Sequence, residues 1–131
     1  MLLTSACTPL AKAMVGEVYT PLNNANGMIG IGDSTAAAAK GQTDLQAASN
    51  KTYLPMDDTY PTLVDTVMTF QVTADGDTAN YVWNEFLVCD ASPGTAWCRF
   101  VQQLNGGVAK SSGQTWVLQV AITMGRNDAA N

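Results

Sequence analysis

The sequence predicts a mainly β domain: an antiparallel, jelly-roll-like β-sandwich with a short N-terminal helix or arm. Three observations carry that expectation. Long runs alternate with a period of two, the signature of strands that show one face to a core and one away from it. Gly, Pro, Asn and Asp punctuate the chain between these runs, as the short connections of an all-β domain require. The composition, 47% hydrophobic and 13% charged over 131 residues, suits one packed domain and is too apolar for a disordered chain.

The elements are read in order. Residues 1–22 form the arm: Thr8 is placed to cap a short helix, Pro9 suits its first position, and Gly16 ends it, with Leu10 and Met14 facing the domain. The sandwich is expected over 23–124. Asn26-Gly27 marks a turn into a short strand, Met28 to Gly32, whose glycines point to close packing against another backbone or to a bulge. From Asp33 to Asn50 the chain is small and polar without a clear period, consistent with a long ordered loop holding a helical turn. Lys51–Leu54 reads as a strand stopped by Pro55, and Asp57–Pro61 as a turn.

The later strands are clearer. Met68, Phe70 and Val72 alternate with Val67, Thr69, Gln71 and Thr73. Tyr81, Trp83, Glu85, Leu87 and Cys89 alternate with Val82, Asn84, Phe86 and Val88. A strand from Trp97 to Leu104 and a final one carrying Trp116, Leu118, Val120, Ile122 and Met124 complete the set, and residues 125–131 read as a polar tail. The core expected from these periods is Met68, Phe70, Trp83, Leu87, Trp116, Leu118, Val120 and Ile122.

Charge and residue types bound the function. Eleven acids against six bases give a net charge of −5, and the bases stand singly, so no cationic cluster exists to displace counterions from phosphate; no nucleic-acid partner is expected. No apolar run approaches a membrane span. The absence of histidine removes the usual general base and the commonest zinc ligand. Asp57, Asp58, Asp75 and Asp77 lack the spacing of a calcium loop, and Gly30-Ile31-Gly32 lacks the third glycine or lysine of a phosphate cradle. Catalytic, cofactor-binding and metal-binding residues are therefore not expected, nor is an enzyme. Glu85, if its face is buried, needs a cation, and Arg99 on the next strand is the natural partner. Cys89 and Cys98 flank a turn, so they either face each other as a disulfide or remain small buried thiols, the latter reading being preferred. Trp97, beside a turn, and Tyr60 are the candidate exposed interaction residues, with a glycan platform as one use.

The succession Asn24-Ala25-Asn26-Gly27-Met28-Ile29-Gly30-Ile31-Gly32-Asp33-Ser34, Gln42-Thr43-Asp44-Leu45-Gln46-Ala47, Asn50-Lys51-Thr52-Tyr53, Met56-Asp57, Tyr60-Pro61, Ala79 to Phe86 and Ser112 to Leu118 with Val120 to Thr123 resembles a family of small virion proteins of tailed bacteriophages and their prophages. The similarity covers Leu22 to Thr123. Members carry an Asn-Arg pair before the last strands and a lysine between them; Arg99 and Lys110 stand at those places, whereas Cys98 and Phe100 depart from the pattern. The resemblance implies a non-enzymatic virion component assembled in the host cytoplasm. Its partners would be the major capsid protein and copies of itself if it is a decoration or cement protein on the capsid exterior, the preferred expectation. The alternatives are a tail or tail-fibre component that meets tail proteins or host-surface glycan, and a carbohydrate-binding sandwich.

Overall fold

The computed structural model describes residues 1–90 and 95–125; the turn expected over Ala91–Gly94 and the tail beyond Gly125 lie outside the described residues. The strands are β1 (Gly27–Gly32), β2 (Lys51–Pro55), β3 (Thr62–Val64), β4 (Val67–Ala74), β5 (Glu85–Asp90), β6 (Ala96–Val101) and β7 (Trp116–Thr123), and an α-helix, α1, spans Cys7–Val15. They form two antiparallel sheets ordered β2-β1-β5-β6 and β3-β4-β7. The chain crosses between them from β2 to β3, from β4 to β5 and from β6 to β7, so each sheet is assembled from distant segments.

The main core lies between the sheets. Ile29, Ile31, Phe86 and Val88 from the first sheet meet Phe70, Val72, Leu118 and Val120 from the second, with Trp83 beside them. Trp83 and Trp116 pack edge to face with centroids 5.0 Å apart, and Phe86 stacks on Phe100 at 5.1 Å. Of the expected core, Phe70, Trp83, Leu118 and Val120 are buried here, while Met68, Trp116 and Ile122 pack against the rim half-buried. Leu87 is buried in a different place. It belongs to a second apolar cluster with Leu3, Leu45, Cys89 and Ala96 on the outer face of the first sheet.

That second cluster explains where the periodic reading departs from the structure. All six residues of β5 are buried, so alternation there separates two covered faces and not core from solvent. The strand also starts at Glu85. Tyr81 to Asn84, expected to be part of it, is an irregular segment held by backbone bonds from Lys110 to Tyr81, from Leu104 to Trp83 and from Gln102 to Asn84. Trp83 therefore points into the main core while Glu85 and Leu87 point away from it.

The N-terminal segment is built into the sheet. Leu3 donates its N–H to Trp97 O and Arg99 donates to Met1 O, with Leu2 bridged antiparallel to Cys98, so residues 1–3 extend the sheet beyond β6. Gly16, at φ 76°, ends α1 in the left-handed conformation a glycine cap supplies. The helix begins at Cys7, after a 3-10 turn over Thr4–Ala6, and not at Pro9. No residue of α1 is buried, and Met14, expected to face the domain, is 86% exposed, whereas Leu10 packs against the main core. The Asp33–Asn50 loop contains no helical turn.

Candidate functional site

The polar chemistry of this chain concentrates on the outer face of the first sheet, under the 42–47 limb of the long loop. In the β5–β6 register Leu87 stands opposite Arg99 and Glu85 opposite Val101, which makes Glu85 and Arg99 diagonal neighbours on one face. Both are fully buried. Arg99 Nε donates to Glu85 Oε2 at 2.8 Å, and Nη2 makes an ion-pair contact with the same oxygen at 2.7 Å. Nη1 donates to Gln42 Oε1 at 3.0 Å. The opposite carboxylate oxygen, Glu85 Oε1, accepts the N–H of Ala47 at 2.8 Å, and Gln46 N–H reaches both oxygens. The pair is thus a strut that fastens the loop to the sheet.

Gly30 and Gly32 make room for it. A Cβ at Gly32 would sit 3.0 Å from Glu85 Cδ, and one at Gly30 would lie 2.9 Å from the Tyr53 ring. The two isoleucines between and before them point into the main core. At Gly30 and Gly32 the glycine pattern of β1 therefore serves close packing against side chains, those of Tyr53, Leu45 and Glu85, and neither the approach of another backbone nor a bulge.

Lys110 is a second buried cation, which sequence reasoning did not single out as a site. Its Nζ donates to Asn80 Oδ1 at 2.8 Å and to Asp75 O, tying the Asp75–Asn80 turn to the approach to β7. The Asp75 carboxyl is held below the usual carboxylate range, first by the Thr78 hydroxyl and then by the Asp77 N–H, with Lys110 adding attraction. A lone lysine between Ala109 and Ser111 carries no sequence signal for burial; only the converging turn reveals it. Asn24 Nδ2 similarly donates to Asp57 O at 2.9 Å and Tyr60 O at 2.7 Å. Asp57 itself accepts from Gln71 and Thr73 through Oδ2.

Of three candidate sites, the cysteine pair takes the preferred reading and the other two are corrected. Cys89 and Cys98 are free buried thiols and form no disulfide. In the β5–β6 register, which shifts between Val88 and Cys89, Cys98 pairs with Val88 and Cys89 with Ala96. The two side chains consequently lie in different clusters on opposite faces of the sheet. Burial pushes the Cys89 thiol up to about 12, helped by Asp90 and Asp44, and raises Cys98 as well. Trp97 is only 8% exposed and belongs to the main core, since Leu2 and Leu3 cover the strand edge that its turn position would otherwise leave open. Tyr60 is half-buried, and its hydroxyl accepts from Gln119 Nε2 at 3.3 Å.

Among the described residues, no group of three or more His, Cys, Asp or Glu is placed to hold a metal ion, and no helix is long and apolar enough to cross a membrane. What the surface does offer is apolar. Met14, Val15 and Val18 project from α1 and the segment after it, and an apolar cleft of about 390 Å³ opens between the sheets, lined by Leu10, Leu22, Phe70, Trp97, Phe100 and Ile122. Compared with protein-family models, curated proteins and solved structures, the chain matches none of them. The chemistry of its exposed surface and its sequence resemblance are what bear on function.

Proposed function

We propose that this protein is a non-enzymatic structural component of a tailed-phage particle, a capsid decoration protein that clamps neighbouring major capsid subunits. One observation carries the reading. Helix α1 buries none of its side chains, and it and the segment after it display Met14 at 86%, Val15 at 72% and Val18 at 92% exposure. Large apolar side chains left exposed this close together in the chain of a packed domain suit a protein interface. The rest of the molecule fits such a role: its buried cations, Arg99 and Lys110, hold loops and turns onto the sandwich on which the helix lies. The sequence resemblance to small virion proteins supplies the partner, and many shallow contacts repeated over a shell add through multivalency.

The test is localisation of the protein on intact particles by cryo-electron microscopy, paired with Val15→Asp/Val18→Asp. Density spread over the capsid lattice, lost in the variant, supports the proposal. Because neither side chain is buried, the variant keeps its fold, with stability changed by about 0.5 kcal/mol or less per site. Density confined to the tail overturns the capsid reading in favour of a tail component.

A further inference from the structure

Three of the four sheet edges in this sandwich are guarded. The β2 edge carries Lys51 and Pro55, β3 is three residues long, and the β6 edge is covered by Met1–Leu3. Charges, prolines, short strands and covering segments are the usual protections against edge-to-edge pairing. Among the described residues the fourth edge has none of them. β7 runs eight residues, Trp116–Thr123, without a charge, a proline or a glycine, and β4 is its single strand neighbour among the described residues.

The hydrogen-bond direction of that edge is readable. Met124 donates its N–H to Thr66 O at 2.8 Å, which continues the β4–β7 register in which Thr123 faces Val67. Alternation along an antiparallel strand then turns the backbone groups of Trp116, Leu118, Val120 and Ile122 toward β4. Those of Val117, Gln119, Ala121 and Thr123 point outward, with no partner among the described residues.

We infer that β7 is a self-association edge, on which a second copy of this chain pairs its own β7 antiparallel about a two-fold axis at Val120. The occupant is argued from complementarity. A two-fold at Val120 sets Val117 against Thr123 of the second copy and Gln119 against Ala121, so every outward N–H and C=O finds a partner. On the inner face it sets Leu118 against Ile122, Val120 against Val120, and Trp116 against Met124. These are the closely approaching, non-hydrogen-bonded pairs of the new ladder, and each is apolar on both sides. Met124, 55% exposed, and the half-buried Trp116 thereby gain a sulfur–aromatic contact, and Ile122 is covered. With no charge on the strand, two copies of a chain bearing −5 overall meet there without direct repulsion. The three-stranded sheets join into one six-stranded sheet. This inference is independent of the capsid reading, since it concerns the free protein.

Sedimentation velocity over a concentration series into the high micromolar range tests it. The wild-type chain moves from 13.8 kDa toward twice that mass as concentration rises. Gln119→Lys/Ala121→Lys places like charges opposite each other across the two-fold and weakens self-association at least about tenfold. Gln119→Glu/Ala121→Glu does the same alone. Mixing the two variants sets each new lysine against a new glutamate and restores a dimer, which also proves that both are folded. A wild-type chain that stays monomeric throughout overturns the inference, and so does a lysine variant that dimerises as well as wild type. Folded variants that fail to pair on mixing overturn the register. If the amides of residues 117–123 are protected from exchange only on particles, the edge takes a capsid strand instead and the second copy is excluded.

Discussion

Arg99→Met is the sharpest test of the ionic strut. The substitution keeps much of the side-chain volume and removes the charge, leaving the Glu85 carboxylate 1% exposed with only the Gln46 and Ala47 N–H groups as donors. It also takes the Nη1 donor from Gln42, so the limb of the loop loses its second attachment. Removing one member of a buried pair strands the other and costs about 3–5 kcal/mol, a large share of the roughly 5–15 kcal/mol that holds a domain of this size together. In thermal terms the midpoint falls by about 10–20 °C. Glu85→Gln in the same background relieves most of that loss, because a neutral amide oxygen still accepts from Ala47 while no charge is left alone. Urea unfolding of wild type, both single variants and the double variant measures this as a coupling energy of at least about 2 kcal/mol. Costs that simply add, or an Arg99→Met loss below about 1 kcal/mol, refute the argument that the pair acts as a unit.

Four further outcomes follow from the same geometry. In the native protein at mild alkaline pH a thiol reagent modifies Cys7 rapidly, while Cys89 and Cys98 react only on unfolding, since Cys7 is exposed and the other two are buried. The Cys89 thiol is raised to about 12 by burial, above its unfolded value, so its contribution to stability is fully present below about pH 8.5 and is lost as pH climbs toward 12; alkaline denaturation of Cys89→Ala, compared with wild type, lacks that component. Gly32→Ala forces a Cβ to within 3.0 Å of Glu85 Cδ and costs about 1–3 kcal/mol, whereas Gly41→Ala, with nothing within 4 Å, is neutral or slightly stabilising by denaturant titration. Trp83→Phe is more damaging than Trp97→Phe by about 1–2 kcal/mol, because Trp83 Nε1 donates to Ala79 O at 2.9 Å whereas Trp97 Nε1 is buried without a partner; equal costs would show that ring packing alone decides.

The one-sided strands were legible without coordinates. Phe70 and Val72 in β4, and Leu118 and Val120 in β7, alternate with polar or exposed residues, and a half-buried strand writes its period directly into side-chain polarity. Glu85 was legible as a problem: a carboxylate amid apolar residues needs a cation, and Arg99 was the one at hand on the next strand. The punctuation at Asn26-Gly27 placed a turn because those residue types favour the backbone conformations that turns demand.

Tertiary structure decided the rest. β5 is covered on both faces, so its alternation could not tell the core that holds Phe86 and Val88 from the layer that holds Leu87 and Cys89. The cysteines part company because the β5–β6 register sends their side chains to opposite faces, and Trp97 is buried because residues 1–3 return across nearly the whole chain to cover it. The burial of Lys110 and the open edge of β7 likewise depend on which distant segments arrive and which do not. Local composition encodes a strand's own two faces; what covers each face or edge is set by contacts between residues far apart in sequence, and only the folded chain contains them.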